Sequence, residues 1–162
     1  GDLLDGVMFD SQYGAQWQRV RDAFEAGVVP SYHNDGSVTP PNQLLNVQQT
    51  VTRRTISGNV HGANQAVNLD DALKAITING AYQLKRDHEI GSLAVGKYAD
   101  LVELSADVYA VPVDKIVDQV KVLGTWLGGK KIDLDGFIGE VTAIDPTEHH
   151  ELTQQIAGGK CC

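Results

Sequence analysis

Five histidines and a set of acidic side chains are what this sequence offers for proton or metal chemistry. His33 and Asp35 stand two residues apart in Tyr32-His33-Asn34-Asp35-Gly36. On an extended strand, side chains at i and i+2 share a face, and an H-x-D pair so placed could share a metal ion. A plainer reading is equally open: His33 supports the strand end, and Asp35 starts an Asx-turn ahead of Gly36. His61 lies in a loop, where it either reaches a substrate or is solvated. Arg53-Arg54 could grip a carboxylate or pair with acids on a helix surface. His88 and the pair His149-His150 read as surface residues. Glu148-His149-His150-Glu151 is not the H-E-x-x-H arrangement of a zinc helix. The two cysteines, Cys161 and Cys162, are adjacent, which leaves no disulfide framework and no cysteine-based zinc site.

These residues need elements to position them. Residues 1–14 read as irregular. From Ala15 a helix is predicted, with Trp17, Val20 and Phe24 at i, i+3, i+7 and Gly27 at its stop. Residues 28–32 are short, apolar and β-prone, with Pro30 tolerable only near the strand's start or at a bulge. Helix, glycine, strand and then polar residues at the strand's carboxyl end is one αβ step of a parallel α/β architecture. A second helix is predicted over 43–54, with Leu44, Val47 and Val51 on one face. A loop over 56–67 follows. Asn68 then caps a helix running to Leu84, with Asp70 and Asp71 complementing its dipole. Gly80 inside that helix costs about 1 kcal/mol relative to Ala, which suggests close packing against a neighbour. Beyond Glu89 residues 90–104 hold two glycines, a turn and a β-prone apolar stretch, residues 112–119 fit a short helix or turn, and residues 120–127 alternate as a strand. Gly128-Gly129 then makes a hairpin turn into a return strand at 130–134. After Gly136 a small apolar patch (Phe137, Ile138, Val141) gives way to a polar tail.

Composition sets the bounds. The chain has 162 residues and a formal net charge of -8, with no cluster of Lys and Arg. That excludes an electrostatic footprint for nucleic acid or an anionic membrane. No apolar run approaches the ~20 residues of a membrane span. A complete (β/α)8 barrel takes about 250 residues and rarely fewer than about 200, so the chain is too short for one. It opens on Gly1-Asp2 without a signal-peptide pattern, and a processed, tagged or partial product is expected. Gly91–Gly96 precedes a strand rather than a helix, so no phosphate-binding loop is predicted.

Three blocks carry a resemblance. The first is His33-Asn34-Asp35 followed by Val38-Thr39-Pro40-Pro41-Asn42 and the helix ending Thr52-Arg53-Arg54. The second is DDALKAITINGAYQL over residues 70–84. The third is Gly91-Ser92-Leu93-Ala94-Val95-Gly96-Lys97-Tyr98-Ala99-Asp100-Leu101-Val102, and VLGTWLGGK over 122–130 closes the pattern. In this order they resemble the amidohydrolase superfamily over roughly residues 1 to 132. Within it they resemble the family-3 branch of metal-dependent hydrolases, to which N-substituted formamide deformylases belong.

The resemblance implies an α/β fold. It would consist of the last strand (28–35) and helices of a (β/α)8 TIM barrel, plus the C-terminal strands of a composite β-sandwich, with the barrel incomplete as it stands. Residues 1–88 would be the barrel part, 89–135 the sandwich strands and 136–162 a tail. Asp35 would be the metal ligand and the general base, taking a proton from water and returning it to the leaving nitrogen. His33, Asn34 and His61 are the candidate substrate-binding residues. The implied cofactor is a divalent metal ion, zinc first, and the substrate a small amide or formamide. The partner would be an N-terminal part or complementary chain bringing the remaining ligands, without which the chain is expected to be inactive. A cytoplasmic location fits the composition. The alternative is a non-catalytic structural or interaction domain that covers its apolar faces by self-association as a homo-oligomer.

Overall fold

A computed structural model describes residues 1–36, 38–39 and 41–136. One compact unit spans Gly1–Lys130, and a second begins at Lys131. In the first, the helices are α1 (Ser11–Gly14), α2 (Val20–Glu25), α3 (Gln43–Thr52), α4 (Leu69–Ala75), α5 (Ile78–Gln83) and α6 (Ile116–Gln119). Strands β1 (Leu101–Leu104), β2 (Val122–Leu127) and β3 (Lys130–Lys131) make a sheet in that order. β1 and β2 run antiparallel with Leu101 opposite Trp126, and the register slips between Glu103 and Leu104. In the second unit the described residues 131–136 are exposed.

α3 organises the first unit. It starts where Asn42 turns its Oδ1 back to accept from the Leu45 N–H at 3.1 Å, satisfying one of the donors a helix start leaves open. It stops at Arg53, whose φ of 55° is left-handed. Between these ends Val47 is fully buried, together with Ala72 of α4, Ile116 of α6 and Val120. Leu44 and Val51 pack on the same cluster, as their spacing predicts. The Asn68 cap is also as expected, its Oδ1 accepting from Asp71 N–H at 2.8 Å.

Several expected elements come out differently. The first helix begins at Val20 rather than Ala15, and Trp17 is 53 % exposed. The carbonyls of Trp17 and Gln18, which a longer helix would use for itself, accept instead from the Arg53 guanidinium. The predicted helix to Leu84 breaks at Ile76-Thr77 into α4 and α5. Thr77 Oγ1 donates to the Leu73 carbonyl at 2.7 Å, a side-chain bond that competes with the helical one. Gly80 faces open space, so no neighbour explains it.

Residues 28–35, expected as a barrel strand, join no sheet among the described residues. Their backbone groups are satisfied from α4 and α5 instead. Asn79 Nδ2 donates to the Pro30 carbonyl and Gln83 Nε2 to that of Val29, both at 2.9 Å, while Tyr32 N–H donates to the Ala75 carbonyl at 3.2 Å. Among the described residues no strand lies beside the segment.

The glycine-rich block before β1 is architectural. Gly91 has φ +85°, and a Cβ there would lie 2.6 Å from that of Ala81. Lys97 Nζ donates to the carbonyls of Asp87 and Ile90. Asp100 Oδ1 accepts from the Gly128 N–H at 2.7 Å, which fixes the hairpin turn between β2 and β3.

Candidate functional site

The loop that carries His33, Asn34 and Asp35 follows residues 28–32 and enters α3. Asp35 sits at φ 50°, in the left-handed region, and this turns the chain. His33 Nδ1 accepts from the Asp35 main-chain N–H at 3.1 Å, so the pair is joined by a local turn rather than by a shared strand face. Both side chains are exposed, and the Asp35 carboxylate accepts no hydrogen bond among the described residues. With Nδ1 engaged as acceptor, the neutral ring carries its proton on Nε2. His33 borders a cleft of about 340 Å³ together with Tyr32, Asn46, Gln49 and Thr50. The Tyr32 hydroxyl is buried there without a hydrogen-bond partner among the described residues, and burial pushes its pKa up.

Asn34 is fully engaged. Its Nδ2 donates to the Asn42 carbonyl at 3.4 Å and to Asn46 Oδ1 at 3.3 Å, and its Oδ1 accepts from Gln43 Nε2 at 3.0 Å and from Asn46 Nδ2 at 3.3 Å. Its own carbonyl accepts from the Thr39 hydroxyl. The side chain therefore moors the Asp35 loop to the first turns of α3.

His61 lies in a different cleft, of about 310 Å³, lined also by Gly1, Asp2, Trp17, Arg53, Arg54 and Thr55. Its Nδ1 is 2.6 Å from Asp5 Oδ2 and its Nε2 is 3.1 Å from Asp2 Oδ1. Asp2 Oδ1 also accepts from Ser57 Oγ at 2.7 Å, Thr55 Oγ1 at 2.8 Å and Asn59 Nδ2 at 3.3 Å. The Ser57 hydroxyl, then that of Thr55, holds the Asp2 carboxyl far below the usual range. His61, then Ser11, lowers that of Asp5, and the two carboxylates raise His61. The structure thus separates His61 from His33 and Asp35. It adds Asp2, Asp5, Thr55, Ser57 and Asn59, which sequence reasoning missed. A tight turn brings Thr55, Ser57 and Asn59 together, the Thr55 N–H donating to the Asn59 carbonyl at 2.9 Å and Arg54 bridging to Val60, and the available signal was the polar, glycine-bearing run Thr55–Asn59 itself.

The Arg pair is structural. Arg53 is 9 % exposed, and its Nη2 donates to the Trp17 carbonyl at 2.6 Å, Nη1 to Gln18 at 3.4 Å and Nε to His61 at 3.1 Å. Arg54 Nη1 donates to the Gly58 carbonyl at 2.9 Å. Neither pairs with an acid among the described residues. Among the described residues no three His, Cys, Asp or Glu side chains come together as a metal-binding group. Asp35 offers one carboxylate where a zinc centre takes three or four ligands, so these residues do not hold a metal by themselves. Glu148–Glu151 and the cysteines lie outside the described residues. No described helix is long and apolar enough to cross a membrane.

Comparison with known proteins adds the family. The chain is 34 % identical over 116 residues to an N-substituted formamide deformylase of Arthrobacter pascens, covering 68 % of this chain and 20 % of that protein. It is 38 % identical over 88 residues to a probable imidazolonepropionase of Xenopus tropicalis, covering 54 % and 18 %. It is 35 % identical over 83 residues to a 5-methylthioadenosine/S-adenosylhomocysteine deaminase of Moorella thermoacetica, covering 51 % and 19 %. Each match takes in about a fifth of the relative's length. No solved structure matches the chain at a significant level. The model of the amidohydrolase family matches residues 2–132, which is most of the chain, and the chain belongs to that family.

Proposed function

We propose that this chain is the C-terminal portion of a metal-dependent amidohydrolase that hydrolyses a non-peptide C–N bond in a small amide or formamide. The family match over residues 2–132 carries the reading, and the names of the relatives support it. Asp35 is the general base. Its exposed carboxylate takes a proton from the attacking water and returns it to the leaving nitrogen. It is also the chain's one contribution to a divalent metal site, with zinc the first choice. Such a metal supplies acidified water and a polarised carbonyl when bound. His33 contributes its Nε2–H toward the substrate. Asn34 and His61, both committed to neighbours, act on the substrate side by holding loops in place. The barrel part over 1–88, the sandwich strands over 89–135 and a cytoplasmic location belong to the same reading. Alone, the chain is inactive, because one carboxylate is not a metal centre.

The test is a chimera. Residues 2–132 replace the matching segment of the Arthrobacter pascens deformylase, and formamide hydrolysis and zinc content are measured. A folded chimera turns over, and Asp35→Asn lowers kcat by about 10²–10⁴-fold, the range of a lost acid–base group. A folded, zinc-loaded chimera that is equally active when it carries Asp35→Asn sinks the assignment.

The exposed apolar side chains Leu3, Val7, Met8 and Phe9 favour a second reading. In it the chain is a non-catalytic domain that buries this surface by self-association. Sedimentation of the chain with zinc separates the two: a metal-free homo-oligomer supports the second, and a monomer that requires a complementary chain supports the first.

A further inference from the structure

His61 is gripped from both sides, and this carries an inference independent of the catalytic reading. An imidazole with each nitrogen against a carboxylate oxygen needs a proton on each, so the arrangement belongs to the imidazolium. The ring is 16 % exposed, and the Asp5 and Asp2 side chains 17 % and 37 %. Gly1 closes over the ring, since a Cβ there would lie 2.9 Å from His61 Cδ2 and 2.8 Å from Thr55 Cγ2.

We propose that His61 is a protonation-controlled latch, closed as imidazolium between Asp2 and Asp5 and opening on the Asp2 side when it loses its proton. The neutral ring keeps one N–H. It stays on Asp5, at the shorter distance of 2.6 Å, because Asp2 retains three other donors. The Nε2 lone pair then faces the Asp2 oxygen, and the two repel. Asp2 and His61 line the same cleft, so the opening moves one of its walls. The other charges facing the ring are cations. Arg53 Nε holds the His61 carbonyl and Arg54 lines the cleft. Desolvation of the ring opposes protonation, and the two touching carboxylates, Asp5 first, outweigh it.

The sign follows from linkage. His61 is raised above its ordinary 6.5, so the closed latch is fully stabilised below that pH and is lost as pH rises through the raised value. The carboxylates are lowered, so their share is lost only when pH falls through their depressed values.

The experiment is NMR on the intact chain, following the His61 ring nitrogens and the amide exchange of Leu4 and Asp5 across pH. Both amides donate to the Gly1 carbonyl, so they report the movement of Asp2. His61 titrates above 6.5 into the tautomer protonated at Nδ1. Beyond the intrinsic base catalysis of exchange, protection falls about tenfold for each unit by which the closed-state pKa exceeds the open-state one. Asp5→Asn brings the titration back toward 6.5, and the step in protection moves with it. Asp2→Asn abolishes the step, because an amide donor satisfies the neutral ring. A ring that titrates at or below 6.5 overturns the latch, as does a step unmoved in Asp5→Asn or intact in Asp2→Asn.

Discussion

The molecule holds two histidine–aspartate arrangements of opposite character. His33 and Asp35 are two residues apart, exposed, and joined only by a main-chain N–H to a ring nitrogen. His61 meets Asp2 and Asp5 across more than fifty residues, half-buried, through both ring nitrogens. The first is held open at a loop and has chemistry to spare. The second is closed upon itself, and its charges already have partners. A carboxylate that is to take protons from water must not be satisfied by the fold. One that fastens two segments must be.

α3 supplies a tether to each arrangement, Asn46 within the helix to the first and Arg53 at its end to the second. Arg53 is the stronger tether. Arg53→Met removes a buried fork from three main-chain carbonyls and destabilises the chain by about 3 kcal/mol, read from the urea midpoint. Arg53→Lys recovers only part of this, because a point charge cannot span three acceptors set for a planar fork. If Arg53→Met costs under about 0.5 kcal/mol, the contrast between a fastened and an open region is wrong.

The legibility of the two regions differs for the same reason. Asn68 capping α4, the apolar face of α3 and the Gly128-Gly129 turn follow from local spacing, and the structure has them as the sequence implies. The loop around Asp35 was found because its neighbours in sequence belong to a family pattern, not because its geometry was foreseen. Asp35 lies in a left-handed turn where a strand end was expected. The His61 cluster has no sequence neighbourhood. Asp2 and Asp5 look like loop acids until the fold brings His61 to both and Thr55, Ser57 and Asn59 to Asp2. The break between α4 and α5 was hidden in a single Thr hydroxyl, whose choice between solvent and the Leu73 carbonyl no periodicity records. The missing strand at 28–32 depends on Asn79 and Gln83, about fifty residues away.

The Asn34 mooring should be weaker than the Arg53 fork, since its partners are neutral amides near solvent. Asn34→Ala costs about 1 kcal/mol, the typical net worth of such bonds. Asn46→Ala costs about the same, and the double variant costs less than the sum, because both remove one network. The local sign is faster amide exchange at Val38, whose N–H donates to the Asp35 carbonyl at 2.7 Å. Strict additivity would mean that the amides do not act together, and that something else holds the loop.

Asp35 itself should matter least to the fold. Asp35→Gly relieves a left-handed φ of 50° and removes no side-chain hydrogen bond among the described residues, while glycine widens the unfolded ensemble. The two effects oppose each other, and the net change in stability is within about 0.5 kcal/mol of zero. Asp35→Ala keeps the strain without the short polar side chain that tolerates it, and loses about 1 kcal/mol. Both variants lack a carboxylate, so in the active chimera both lose turnover alike, whatever their stability. A fall in activity that tracked thermal stability across Gly, Ala and Asn at this position would make Asp35 a structural turn residue. Activity lost equally in all three, with Asp35→Ala less stable than Asp35→Gly, separates the open arrangement from the fastened one at His61.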